Sequence, residues 1–384
     1  MLTTEDHALA VLAEVAGIPT APFHEGGVAR HMEAALRAFG FVVRQDRFGN
    51  LLARYRRGRE ARPVVLVAHM DHPGLVATRR AGRHVIAEVL GGLQPGVLVP
   101  GTPLRFYDGT ASYAGEVREY LPEVGRVRAA VKADVHGTLS REAFGTLDIP
   151  AFSRANGFLA LRAADDLAQC ACLLLVAERV ATVAESFDVT FVLTRAEEIG
   201  LVGATLVAQG GLLPRDAIVI SLECSMALPG AEIGKGPVIR VGDARQSFDP
   251  RGEALLLAAR DELGRQWAGK SESAGRAIQR QLMSGGSCEA SAFQAYGYIT
   301  TGLVLPLGNY HNADSNGQAA PEFIHINAVV CEVDLLLAIL AESSRPLPER
   351  RQRLAELAGE ASQRLTDTAS GWDLGIPPAM VRAV

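Results

Sequence analysis

Two histidines and three acids stand apart in this sequence: His69 in AHMD, Asp165 in AADD, Glu198 in AEEIG, Glu223 in SLECS and His311 in NYHNAD. Imidazoles together with carboxylates suit Zn²⁺, Co²⁺ or Mn²⁺ better than copper or an iron–sulfur cluster. Five such ligands hold two ions if one carboxylate bridges them. A pair of ions about 3.5–4 Å apart lowers the pKa of a shared water and polarises the carbonyl it attacks. The water's proton needs an acceptor, and the doublet Glu197-Glu198 offers one: one carboxylate binds metal while its neighbour reaches the water. In HMD, Asp71 stands where it can accept the imidazole N–H of His69 and fix the metal-binding tautomer.

Each feature also has a plainer reading. Paired acids are common on surfaces, acids at helix starts are ordinary caps, and a His beside a strand is usually a hydrogen-bonded structural residue. Position favours a shared site. The runs VVLVA, VTFVLT, AIVISL and TTGLVLPL are short, apolar and rich in β-branched residues, the pattern of buried strands. In an open α/β sheet the carboxyl ends of parallel strands share one edge, where residues distant in sequence converge. His69, Glu197, Glu198, Glu223 and His311 all stand at such ends. Asp165 precedes DLAQCACLLLVAERVA, an apolar-periodic stretch of helix formers, and so occupies a helix N-terminus that favours a carboxylate.

At 384 residues the chain exceeds what one core usually organises. Its 48% hydrophobic and 21% charged residues are those of an ordinary globular enzyme. A net charge of -5 gives no reason to expect nucleic acid. The start, MLTTEDHALAVLAEVAG, carries acids where a secretory signal would carry bases, and no apolar run approaches the ~18 residues of a membrane span. A cytoplasmic protein without a membrane partner is expected. The five cysteines lack CxxC spacing and read as reduced core residues. Cys288, in MSGGSCEAS, is weighed as a nucleophile, but no His and Asn arrangement of a thiol enzyme accompanies it.

Helices are expected over 5–17 and 28–39, with strands around the turn FGN and another ending at His69. From about Gly74 to Asn156, short alternating stretches separated by Gly and Pro read as a small β-rich insertion. From Phe158 the α/β rhythm resumes: helix 165–181, strand 188–194, helix 201–209, strand 217–223, strand 237–241, helix 252–263, helix 287–296, strand 299–305 and helix 323–342. The expected organisation is a discontinuous α/β catalytic domain (1–73 and 157–345), an inserted β-rich domain (74–156) and a helical tail (346–384). In the tail, Leu354, Leu357, Ala358, Ala361 and Leu365 share one helical face, a pattern more often used for docking than for chemistry.

Taken together, AHMD, an inserted β domain, ADD, EEIG, an acid after IVISL, GKGP, a GG-rich helix start and a final His resemble the tetrahedral and glutamyl aminopeptidase family of dinuclear metallopeptidases, over about residues 5–342. The resemblance implies a mixed central sheet flanked by helices, as in zinc peptidases, interrupted by a small PDZ-like domain that helps build large hollow homo-oligomers. It implies that Asp165 bridges two divalent ions, that His69 and Glu223 complete one and Glu198 and His311 the other, that Glu197 is the general base, and that Asp71 supports His69. The reaction would be removal of an N-terminal residue from a peptide substrate.

The chain departs from the family pattern in places. His72-Pro73-Gly74 replaces Glu-Ile-Gly after HMD, leaving His72 as a substrate contact or a turn residue more than as a further ligand. Glu223 replaces the usual Asp, and Asn309-Tyr310-His311 replaces Arg-Tyr-x-His. Substrate contacts are expected from His72, Gly286, Asn309 and Tyr310. These departures keep open a deacylase of N-acyl amino acids or small amides on the same two metals. A catalytically inactive oligomeric shell is the alternative of another class.

Overall fold

A computed structural model describes residues 4–58, 61–81, 84–124, 128–183, 185–269, 275–345 and 350–369. Helices α1 (Glu5–Ala16) and α2 (Gly26–Ala38) lead into β1 (Val42–Gln45), β2 (Leu51–Arg57) and β3 (Val64–His69). Next come β4 (Gly74–Ala81), β5 (His84–Leu90), β6 (Pro103–Asp108), β7 (Ala111–Leu121), β8 (Ala130–Val135) and β9 (Phe144–Leu147). The hairpin β10 (Phe152–Ala155) and β11 (Phe158–Leu161) precedes α3 (Ala164–Thr182), β12 (Phe187–Thr194), α4 (Val202–Gly210), β13 (Ile218–Met226) and β14 (Val238–Arg240). The remaining elements are α5 (Pro250–Trp267), β15 (Gln279–Gln281), α6 (Glu289–Ala295), β16 (Ile299–Leu307), β17 (Glu322–His325), α7 (Ile326–Glu342) and α8 (Arg350–Ala369).

The central sheet has eight strands in the order β1-β2-β12-β3-β13-β16-β14-β15. Its middle strands β12, β3, β13 and β16 run parallel, while β2 joins β12 and β14 joins β16 in antiparallel fashion, so the sheet is mixed. The parallel strands are the continuous apolar runs, and burial on both faces explains that composition: every residue of β3 and of β12 is buried. The buried carboxylate of β12, Asp188, receives a bidentate bond from Arg54 across the β2–β12 pair. Helix α3 is buried nearly all round, from Ala164 through Ala177, which is why its sequence is apolar on every face rather than on one stripe. It packs against α1, α7, β3 and β13.

Strands β4 to β9 close into a six-stranded barrel in the order β4-β5-β8-β7-β6-β9. Their alternating residues fill it: Leu75, Ala87, Leu104, Phe106, Val117 and Val131 are all buried in one cluster. A third sheet, β10-β11-β17, departs from the expected elements. Its hairpin turns on Asn156-Gly157, both at positive φ, the residue pair that a two-residue turn favours. Strand β17 takes the first residues of the helix expected over 323–342, and α7 begins at Ile326, capped by the His325 ring accepting the Asn327 N–H.

The described residues fall into two compact units, one ending at Arg345 and one beyond it. In the second, α8 exposes Leu354, Leu357 and Leu365. No described helix is long and apolar enough to cross a membrane.

Candidate metal centre

His69 ends β3 and lies in register with Thr194, the last residue of β12, so the loop carrying Glu197 and Glu198 starts beside it. Glu223 lies inside β13 rather than past its end, because pairing with β16 continues to Met226. Asp165 and Asp166 open α3 with backbone angles that are not helical. His311 sits in the turn Tyr310–Asn312 after β16, where Asn309, His311 and Asn312 all have positive φ.

These segments meet. His69 Nε2 lies 3.1 Å from Asp165 Oδ1 and 3.5 Å from Glu223 Oε1. His311 Nε2 lies 3.3 Å from Glu198 Oε2 and 3.9 Å from Asp165 Oδ2. The structure thus brings together three overlapping groups able to hold an ion, His69 with Asp165, Asp166 and Glu223, His69 with Glu197 and Glu198, and Asp165 with Glu198 and His311, each with ligand atoms within 4.8 Å of one another. In both histidines Nδ1 faces a backbone carbonyl, Asp71 O at 3.2 Å for His69 and Gly92 O at 3.1 Å for His311. A ring nitrogen facing a carbonyl carries the proton, which leaves each Nε2 free as a ligand.

For His69 the closer partner is therefore the backbone of Asp71, not the carboxylate expected from the sequence, whose Oδ1 stands 3.5 Å away. That carboxylate is engaged elsewhere: it accepts the backbone N–H of Glu197 at 3.0 Å and of Glu198 at 3.1 Å. Two buried acids not anticipated from sequence work the same way. Glu25 accepts the Ala196 N–H at 3.0 Å and pairs with Arg195 at 2.8 Å, and Glu322 accepts the N–H of Asp165 at 3.0 Å and of His311 at 2.9 Å. No local pattern announces them, since a carboxylate that holds a distant loop is recognisable only once the loop has come to it.

Burial is the largest influence on four of these acids, Asp166, Glu197, Glu198 and Glu223. It pushes Asp166, Glu197 and Glu198 well above the ordinary carboxylate range and Glu223 up to about 7. For His69, burial acts to lower the pKa, but Asp166, Asp165, Asp71 and Glu223 outweigh it and hold the ring well above its usual value. At His311 and His72 burial prevails and takes the rings down to about 4 and about 3. Among the described residues no Lys or Arg forms an ion pair with Asp165, Asp166, Glu197, Glu198 or Glu223. Glu198 Oε1, Glu223 Oε2 and His311 Nε2 are buried with no hydrogen-bond partner. An excess of buried carboxylates around two imidazoles, with ligand atoms left over, is a set that divalent cations satisfy.

A narrow cleft of about 60 Å³ opens over Asp165, Glu197, Glu198 and Glu223, bordered by Gly286 and Tyr310. His72 and Asn309 are not among its lining residues. The buried His72 ring spans the Asp165 carbonyl and Asn312 Oδ1, and the Asn309 amide donates to Pro321 O at 2.8 Å, so both side chains brace the turn around His311. Arg240, also missed from sequence, borders the cleft almost wholly buried and donates to Ser225 Oγ and to the Gly242, Met283 and Gly286 carbonyls. Cys288 is buried and its thiol is pushed up to about 12, first by burial, which disfavours a thiolate nucleophile. A larger groove of about 860 Å³, against β1, β2, β12 and α4, contains no histidine and lies apart from these ligands.

Sheet and cluster together define the class: a hydrolase fold whose acid and imidazole cluster is able to hold metal. Comparison with known proteins narrows that class. Residues 127–315 match the sequence model of the M42 glutamyl aminopeptidases, the family that the sequence resembles. The TET1 peptidase of Pyrococcus horikoshii superposes with a TM-score of 0.71 at 22% identity, over 87% of this chain and 99% of that one. A TET aminopeptidase from a marine sediment archaeon of the Thaumarchaeota gives 0.73 at 17% identity, over 88% and 99%. An aminopeptidase from the archaeon Desulfurococcus kamchatkensis gives 0.71 at 18%, over 90% and 98%. At such identities the likeness is one of fold, and it is the family match that supports a metal-dependent aminopeptidase.

Proposed function

We propose that the protein removes N-terminal residues from peptides with two divalent ions, one held by His69 and Glu223, the other by Glu198 and His311, with Asp165 shared. The observation that carries this reading is the placement of Asp165, whose two oxygens face the two imidazoles, Oδ1 toward His69 at 3.1 Å and Oδ2 toward His311 at 3.9 Å. Zn²⁺ suits the donors best, with Co²⁺ and Mn²⁺ as alternatives. Bound there, such ions supply a water of lowered pKa and polarise the scissile carbonyl.

Glu197 is the proton carrier. It borders the cleft, and its backbone is held by Asp71, so its carboxylate takes the proton of the attacking water and returns it to the departing amine. Carboxyls raised by burial are stronger bases once ionised, which suits that exchange. The match to an aminopeptidase family favours a substrate with a free α-amine over an N-acylated one.

The test uses the dialysed protein with amino acid anilides and their N-acetyl counterparts, adding back Zn²⁺, Co²⁺ or Mn²⁺. Cleavage of only the free-amine compounds, restored by metal, is expected; preference for the acetylated ones would move the assignment to a deacylase. Glu197→Gln should keep both ions while turnover falls at least ~10²–10⁴-fold, and an active variant would sink the base assignment.

The same proposal extends to assembly. The Pyrococcus horikoshii relative assembles into a tetrahedron or a large octahedral shell, and we place this chain in a homo-oligomer. The barrel stands where the family resemblance implies a PDZ-like domain inserted at 74–156 between the two parts of a catalytic domain, with 346–384 as a separate tail. The five free, buried cysteines suit a reducing compartment such as the cytoplasm.

A further inference from the structure

Strand β5 ends at Leu90, and the next two residues are Gly91 and Gly92. The Gly92 carbonyl accepts the Nδ1–H of His311 at 3.1 Å. A Cβ on Gly92 would lie 2.4 Å from His311 Nδ1 and 2.6 Å from its Cε1, and one on Gly91 would lie 3.2 Å from the Cβ of Glu198. The imidazole therefore rests against backbone that only glycine provides. This contact belongs to a larger fit. A Cβ on Gly96 would meet the Gly317 carbonyl at 2.8 Å, and Ala313 and Ala319 pack against the barrel core beside Leu93, Val97 and Leu98. The segment that leaves His311 is thus embedded in the barrel, and the His311 ring is fixed by the barrel's own loop. His69 is held otherwise, through the Asp71 carbonyl, Asp166 at its backbone N–H and Cys170 at its carbonyl.

We propose that the barrel is a working part of the metal centre: Gly92 is a positioning residue that orients His311, so the barrel governs the Glu198–His311 ion position and leaves the His69–Glu223 position alone. The inference rests on the two-ion reading above. Its physical basis is that an acceptor on the far ring nitrogen fixes both the tautomer and the plane of a metal-binding imidazole, and losing one typically weakens metal affinity by about 10–100-fold.

The experiment is calorimetric titration of Zn²⁺ into the chelator-stripped, full-length protein, read as stoichiometry and affinity rather than activity. Wild type should bind two ions. Gly92→Ala should keep one at wild-type affinity and weaken the other about 10–100-fold. His311→Ala should lose that same ion, and the double variant should be no worse than His311→Ala alone, because Gly92 acts through His311. If Gly92→Ala does not fold, Val97→Ala, which loosens the barrel core beneath the loop, should weaken the same ion. Two ions at wild-type affinity in Gly92→Ala, additive losses in the double variant, or equal weakening of both ions in Val97→Ala would each overturn the proposal. A wild type that binds no ion would instead overturn the two-ion reading.

Discussion

The His69 side and the His311 side of the cluster reach one place by different construction. His69 and Glu223 stand on adjacent parallel strands, where a register shared with β12 and β16 fixes their height and spacing. Glu198 and His311 come from loops in which Ala196, Leu201, Asn309, His311 and Asn312 adopt left-handed backbone. Non-glycine residues in that region cost on the order of 1–3 kcal/mol each and persist only where the surroundings over-determine them. Here the surroundings are buried carboxylates that grip backbone N–H groups, Glu25 and Asp71 on one loop and Glu322 on the other. One side is positioned by a ladder of main-chain bonds and the other by three side chains, so single substitutions should act very unevenly on the two.

The largest contrast lies in the ligands themselves. His69→Ala should abolish turnover and remove the ion it shares with Glu223, and His311→Ala should leave that ion in place while turnover falls by about 10³-fold or more, checked by metal analysis beside anilide cleavage. Loss of both ions in each variant would erase the distinction. Next is Glu322→Ala, which strands two buried N–H groups at about 1–3 kcal/mol each, roughly 2–6 kcal/mol in denaturant unfolding, and weakens binding at His311 more than at His69.

A pH experiment probes the ground beneath the His69 side. Gln169 donates to the Glu223 carbonyl, and next to it Glu332 is pushed up to about 8, chiefly by burial, with Gln169 pulling the other way. An acid raised in the fold keeps a proton that the unfolded chain gives up, so stability falls as pH rises above the unfolded value of 4.5 and stops falling above about 8. Melting temperatures of chelated protein should decline across that window, and Glu332→Gln should flatten the decline. The smallest effect is expected for Cys170→Ala. It removes a weak thiol bond to the His69 carbonyl at 3.3 Å, and because the sheet already fixes His69 it should cost only about 1 kcal/mol and leave both ions bound. A lost ion there would show that His69 depends on side-chain props after all.

What could be read from sequence follows the same division. The buried strands were legible because burial on both faces demands unbroken apolar runs, and α3 because it is apolar all round. Ligand types at strand ends were legible because acids and histidines are conspicuous there. Glu322 and Glu25 were not, since nothing near them in sequence marks the N–H groups they meet. Asn156-Gly157 carried a hairpin signal that went unused, as it fell where a β-rich stretch gives way to an α/β one. Glu322–His325 was absorbed into the helix that follows, for a strand of four residues is too short to show its own period. The alternation of the strands between 74 and 147 was visible, but their closure into a barrel depends on pairings of β4 with β9 and of β5 with β8 that no local pattern specifies.

The order of the ligands along the chain sets a timetable for synthesis. His69 and the barrel leave the ribosome early, yet His311 and the carboxylate that holds its turn, Glu322, come near the end of the compact unit that closes at Arg345. A nascent chain halted before that point carries four of the five proposed ligands but lacks His311 and the carboxylate that holds its turn. An enzyme that trims N-termini thereby stays inert in the crowded neighbourhood of other growing chains until nearly all of its folded body has emerged.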